Sequence, residues 1–284
     1  MKTNRLYQQR TLTGNLNMVF DFVGENWKLW LKMMLYFLLP FSVILGTTVV
    51  PILKGQDFDE SFSTLGIVAL VFSLTIGSAV ALAIEMLLLQ WHDKHCGSLD
   101  GCNVATMWRM LPKALLKGLA VIAIIASLQL LALIAVVIPI VGIVGLLAVL
   151  PVYLVCPIML LEPNNSWIGA IRRAFSLGYK KWGTLILIMA VMGVVAILFS
   201  NAATFPLAML TYVESLLEEP VHHSVFWSFV GDIAFYVLSV AGSFLLFMEV
   251  GLLFHAVTCH YGSVAAEAED IGLESEIDNF DQLR

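Results

Sequence analysis

The stretch GLAVIAIIASLQLLALIAVVIPIVGIVGLLAVLPVYLVCPIMLL, from Gly118 to Leu161, contains no charged residue in 44 positions. A helix crossing the hydrocarbon core of a bilayer needs roughly 20 apolar residues. The stretch is too long for one span and fits two. Pro139 to Gly142 supplies the turn signal between them. Four further apolar runs lie on either side, at residues 33–53, 65–91, 182–213 and 233–254. Backbone in lipid must satisfy its own hydrogen bonds, so each run is expected to be helical. The expected fold is an all-α integral membrane bundle of six transmembrane helices.

Composition agrees. The chain of 284 residues is 60% hydrophobic and 13% charged, where a soluble domain is about half apolar and a quarter charged. The net charge of −6 sits in the tail, residues 264–284, with seven acids and one base. The rest is neutral overall, which argues against a nucleic-acid partner. Residues 1–263 are expected to form the membrane domain and 264–284 an acidic cytoplasmic tail. Leu273, Ile277 and Phe280 share a helical face, so the tail is expected to fold back on basic residues. Residues 33–53 exceed a signal-peptide core and lack a small-x-small site, so no cleaved signal is expected.

Lysine and arginine set the orientation. With both termini on one side, that side carries 14 basic residues and the other only Lys54. The positive-inside rule then places both termini in the cytoplasm. Cys96, Cys102 and Cys259 fall at that face and Cys156 inside an apolar run, so no disulfide framework is expected.

Before the first, third and fifth spans comes a basic-aromatic stretch: NMVFDFVGENWKLW, VATMWRMLPKALLKG and SWIGAIRRAFSLGYKKWG. Phe20, Phe22 and Trp27 align with Phe175, Leu177 and Trp182. In the third copy Ile168, Ile171, Phe175 and Trp182 share a helical face, with Arg172, Arg173, Lys180 and Lys181 largely off it. That pattern predicts an amphipathic surface helix leading into a span, and three repeats of surface helix plus helical hairpin.

The segment Ala170-Ile171-Arg172-Arg173-Ala174-Phe175-Ser176-Leu177, with Tyr179 and Trp182, follows a span ending Leu161-Glu162-Pro163. It resembles the six-helix bacterial membrane proteins related to the membrane domain of some glycerophosphodiester phosphodiesterases. The likeness is sharp over about 20 residues of the chain. It implies a bacterial inner-membrane protein. No phosphodiesterase domain is read in these residues, so that activity is not expected to carry over.

Two glutamates stand inside spans. Glu85 and Glu249 each lie six residues before the apparent end of a run, roughly 9 Å deep at 1.5 Å per residue. Ser73, Gly77, Ala81 and Glu85 are spaced by four, a small-residue ridge on which another helix can approach closely. Gly242 lies on the face of Glu249. Both carboxylates are expected to point inward at one buried polar site. Each helix then ends in an echo, His95-Cys96-Gly97-Ser98 and His260-Tyr261-Gly262-Ser263. His92 and Cys96, like His255 and Cys259, stand one turn apart, an arrangement able to ligate zinc but without a familiar zinc spacing. No P-loop, nucleophile elbow or dinucleotide turn is present. No catalytic residue, metal or cofactor is expected.

Arg172, Arg173, Lys180 and Lys181 are candidates to bind anionic headgroups, and membrane lipids are the expected partner. The expected function is non-enzymatic: a lipid-interacting or accessory protein of the bacterial cytoplasmic membrane. The alternative is a proton-coupled transporter using Glu85 and Glu249. A reporter active only in the periplasm should be silent when fused after Gln282 and active when inserted near Gln56. The reverse pattern contradicts the orientation.

Overall fold

A computed structural model describes residues 6–53, 60–95, 98–134, 144–145, 147–162, 165–217 and 225–268. Among these residues the chain is helical and contains no strand. The elements are α1 (Leu12–Leu53), α2 (Glu60–Lys94), α3 (Val104–Ile134), a 3-10 turn (Leu150–Leu154) running into α4 (Val155–Leu161), α5 (Trp167–Lys180), α6 (Trp182–Leu217) and α7 (Val225–Ala268). Among the described residues five helices, α1, α2, α3, α6 and α7, are long and apolar enough to cross a membrane. The sixth expected span corresponds to a shorter apolar helix, Leu147–Leu161. The turn expected at residues 139–142 lies outside the described residues.

The repeat reading meets a mixed outcome. The third basic-aromatic stretch forms a discrete helix, α5, as expected. The first and second run on into their spans as continuous helices of 42 and 31 residues. The difference is local. Ser166 caps α5 by accepting from Gly169 N at 3.1 Å, and at Lys181 the backbone leaves the helix with φ −126 and ψ 37. In α3 even Pro112 sits within the helix. At the other end, α7 continues through Ala268, and Val264, Ala265 and Ala266 are buried. The tail boundary at residue 264 therefore falls inside a helix. Leu273, Ile277 and Phe280 lie outside the described residues.

The chain divides into two compact units. One comprises residues 1–33, 82–192 and 251–284, and the other residues 34–81 and 193–250. The second unit carries exposed apolar bands, and the first buries polar side chains. Ile67, Val68, Val71 and Phe72 on α2, and Val194, Ile197, Leu198 and Phe205 on α6, are more than half exposed. Glu85, His255, Thr258 and His260 are buried. Exposed apolar bands of this extent need a nonaqueous cover.

In the second unit close packing rests on glycine. A Cβ on Gly46 of α1 would lie 2.6 Å from the Val240 backbone nitrogen of α7. One on Gly77 of α2, in the expected small-residue ridge, would lie 2.4 Å from the Phe247 ring. Backbones that approach this closely replace the hydrophobic drive that lipid cannot supply between helices. By contrast, a Cβ on Gly193 of α6 would meet nothing within 4 Å. Gly46→Ala should therefore cost about 1–3 kcal/mol through overpacking. Gly193→Ala should be neutral or gain about 0.5–1 kcal/mol from helix propensity. Thermal unfolding of both variants in one detergent checks this, and equal Tm values would contradict it.

Candidate functional site

In the first unit α1, α2 and α7 meet around Glu85. A carboxylate alone in an apolar interior is strongly disfavoured unless it is paired and hydrogen-bonded. Both oxygens of Glu85 are engaged. Oε2 accepts from the Trp30 indole Nε1 at 2.8 Å, and Oε1 pairs with His255 Nδ1. Glu85 and His255 are both fully buried. With one proton between them the pair is net neutral, whichever partner carries it. The Phe22 ring stands edge-on to His255 at 4.7 Å between centroids and to His92 at 5.0 Å. One turn on from His255, Cys259 is buried as well.

A second carboxylate, Glu162, follows α4. It accepts from Arg173 Nε at 2.9 Å, from the Tyr261 hydroxyl and from Asn165 Nδ2. These contacts join the end of α4 to α5 and to α7. The last carbonyls of α4 are also taken, Met159 by Lys117 Nζ and Leu160 by Gln90 Nε2, both at 2.8 Å. A cation at a helix C-terminus complements its dipole. Beside Glu162, α5 buries Ala170, Ala174, Leu177 and Gly178. A Cβ on Gly178 would lie 2.6 Å from the Pro151 side chain, so α5 seats on the 3-10 turn through its small residues. Of its larger apolar residues, Leu177 joins that buried face, while Trp167, Ile168 and Tyr179 are exposed.

The four basic candidates separate. Arg172, Arg173 and Lys180 line a surface groove of about 400 Å³ along α5. Lys181 lines a different cavity and pairs with Glu267 at 3.0 Å. Among the described residues of the expected tail, Glu267 thus stands on a basic partner, and it lies in α7.

Glu249 has its own surroundings, in the second unit. It is partly exposed and lines an apolar cavity of about 380 Å³ with Leu45, Leu70, Ser239, Gly242 and Ser243. The two glutamates, equivalent in the repeat reading, thus differ in chemistry. Glu85 has its hydrogen bonds filled by a histidine and an indole. Glu249 borders open apolar space, and Gly242 lines that space with it, as the shared face predicts.

Among the described residues no group of three or more His, Cys, Asp and Glu side chains could hold a metal ion. Nδ1 of His255 is committed to Glu85, and Phe22 packs against both histidines of the two His/Cys pairs. Cys96 lies outside the described residues. Cys102 is buried, and burial pushes its thiol up to about 11, so it is protonated and a poor nucleophile at neutral pH.

Sequence reasoning missed Trp30 as a partner of Glu85 and Tyr261 as a partner of Glu162. The echo His260-Tyr261-Gly262-Ser263 carried a signal, and each of its residues has a task in α7. Tyr261 reaches Glu162. Gly262 lets the Leu6 carbonyl approach, where a Cβ would lie 2.3 Å from it. Ser263 accepts from Arg10 N at 2.8 Å, and His260 borders a polar cavity. In the other copy, His95 stacks on Trp91 and Ser98 accepts from Asp100 N.

No family model, curated protein or solved structure matches this chain. The resemblance drawn from Ala170 to Trp182 therefore stands on those residues alone.

Glu85→Leu should strand buried donors on Trp30 and His255 and cost about 3–5 kcal/mol. Glu85→Gln, which keeps an acceptor, should cost less. Glu85→Leu combined with His255→Leu should recover part of the loss, with a coupling of about 0.5–3 kcal/mol in a double-mutant cycle. Denaturant unfolding in detergent measures all three, and strict additivity would refute the pairing.

Proposed function

We propose that the chain is a non-enzymatic, multi-pass protein of the bacterial cytoplasmic membrane, with both termini cytoplasmic, that binds anionic lipid headgroups along α5. The observation that carries this reading is the groove lined by Arg172, Arg173 and Lys180. It lies on a short helix whose Trp167, Ile168 and Tyr179 remain exposed. Guanidinium groups meet phosphate oxygens in a bidentate geometry. Exposed aromatic and aliphatic side chains on the same helix suit the headgroup boundary. The small-residue face seats the helix, so both other faces are left for lipid. The resemblance to bacterial inner-membrane proteins supports the location.

Nanodiscs containing phosphatidylglycerol in a phosphatidylcholine background test the reading. Native mass spectrometry should show the anionic lipid retained on the purified protein. Each basic residue at the membrane surface contributes about 1 kcal/mol. The double variant Arg172→Gln, Lys180→Gln should therefore lose roughly 30-fold in preference for the anionic lipid. Equal retention by the variant would overturn the reading.

One observation favours the second reading, proton-coupled transport: Glu249 borders a cavity of about 380 Å³. Under that reading Glu249→Gln abolishes pH-driven solute uptake into proteoliposomes and leaves anionic-lipid retention intact.

A further inference from the structure

The first unit contains a second polar cavity, of about 470 Å³, remote in chemistry from the α5 groove. Its walls come from the chain just before and within the first turn of α1, the first turn of α6 and the last turns of α7. Three atoms there have no hydrogen-bond partner among the described residues: Nδ1 and Nε2 of His260 and Oδ1 of Asn15. Both residues are only 1% exposed. Each such group carries a desolvation penalty of about 1–3 kcal/mol until something answers it. Three together, around a space this large, mark a site built for a polar ligand.

The electrostatics select its sign. Arg10 and Lys181 line the cavity. Two long helices, α1 and α6, begin at it, with Asn15 and Thr184 in or beside their first turns. The N-terminus of each contributes about half a positive charge and amide hydrogens that favour an anion. Arg10 is held in position, with Nη1 donating to the Leu6 carbonyl at 3.0 Å and its backbone nitrogen to Ser263. Among the described residues that line it, the acid Glu267 pairs with Lys181 at 3.0 Å.

Acceptors in the wall restrict the ligand further. Asn15 Oδ1 is an unanswered acceptor and Glu267 carries negative charge, whereas Arg10, Lys181 and the helix starts present positive charge and N–H donors. A simple anion answers only the second set. We propose that this cavity binds a phosphoethanolamine group, its phosphate oxygens toward Arg10, Lys181, His260 and the helix starts, and its ammonium toward Asn15 Oδ1 and Glu267. The group comes either from a soluble phosphoethanolamine or from the headgroup of phosphatidylethanolamine.

Titration of the full-length protein in detergent with phosphoethanolamine, followed by calorimetry and Tm, tests the soluble source. Native mass spectrometry from phosphatidylethanolamine nanodiscs, against phosphatidylcholine nanodiscs, tests the lipid source. Saturable binding of the soluble ester, or selective retention of the lipid, is the expected result, and which of the two occurs identifies the source. Asn15→Leu keeps the bulk of the wall and removes the acceptor that faces the ammonium. It should weaken binding at least about tenfold, the loss of one charge-assisted contact. His260→Leu removes two unanswered nitrogens, so the ligand-free variant should be at least as stable as the wild type and should not bind. Neither ligand bound by the wild type, or both variants binding as tightly as the wild type, would overturn the proposal.

Discussion

A carboxylate cannot be left alone in an apolar interior, and the way Glu85 is answered sets the arrangement of three helices. Trp30 of α1 and His255 of α7 reach the same side chain of α2. Lipid offers no hydrophobic drive to bring helices together, so directional contacts and close backbone packing must do it. The Glu85 contacts fix which faces of α1, α2 and α7 turn inward. Phe22, lying edge-on to His255 and His92, fills the space beside them. Exchange of any one partner leaves the others buried and unanswered, which is why such a group specifies an arrangement more sharply than apolar packing alone.

The same logic recurs toward the ends of the helices. Glu162 collects Arg173, Tyr261 and Asn165, and the carbonyls that finish α4 are taken by Lys117 and Gln90. These contacts hold α5 at a defined place with its small residues inward. Arg172, Lys180, Trp167 and Tyr179 are thereby presented outward, and the proposed headgroup groove follows from that seating. The cavity at His260 and Asn15 breaks the pattern. There Nδ1 and Nε2 of His260 and Oδ1 of Asn15 lack partners among the described residues and stand around a cavity, whereas the Glu85 carboxylate is answered by protein.

Much of the architecture was legible in sequence because membrane spans are written in composition. The uncharged 44 residues from Gly118, the apolar runs elsewhere and the small-residue ridge through Gly77 all depend on local pattern. Gly77 does receive a close neighbour, the Phe247 ring. Where a surface helix becomes separate from its span was not legible. The three basic-aromatic stretches read alike, yet only the one before Trp182 is divided from its span, because a cap at Ser166 and a backbone break at Lys181 isolate it. The partners of Glu85 were not legible either. Trp30 and His255 are 55 and 170 residues away from it, and periodicity carries no information across such separations. Depth along a helix suggested one environment for Glu85 and Glu249. Depth does not report which side chains stand opposite, and that is where the two diverge.

The most direct test of the claim that Glu85 organises its neighbours is the state of the His255 ring in a lipid bilayer. Solid-state NMR of protein labelled with 15N at histidine and tryptophan reports both nitrogens that Glu85 engages. A His255 Nδ1 resonance displaced by hydrogen bonding, together with a downfield Trp30 indole proton, both moving when Glu85 is changed to glutamine, is the predicted result. Resonances of His255 and Trp30 that ignore the substitution would contradict the account.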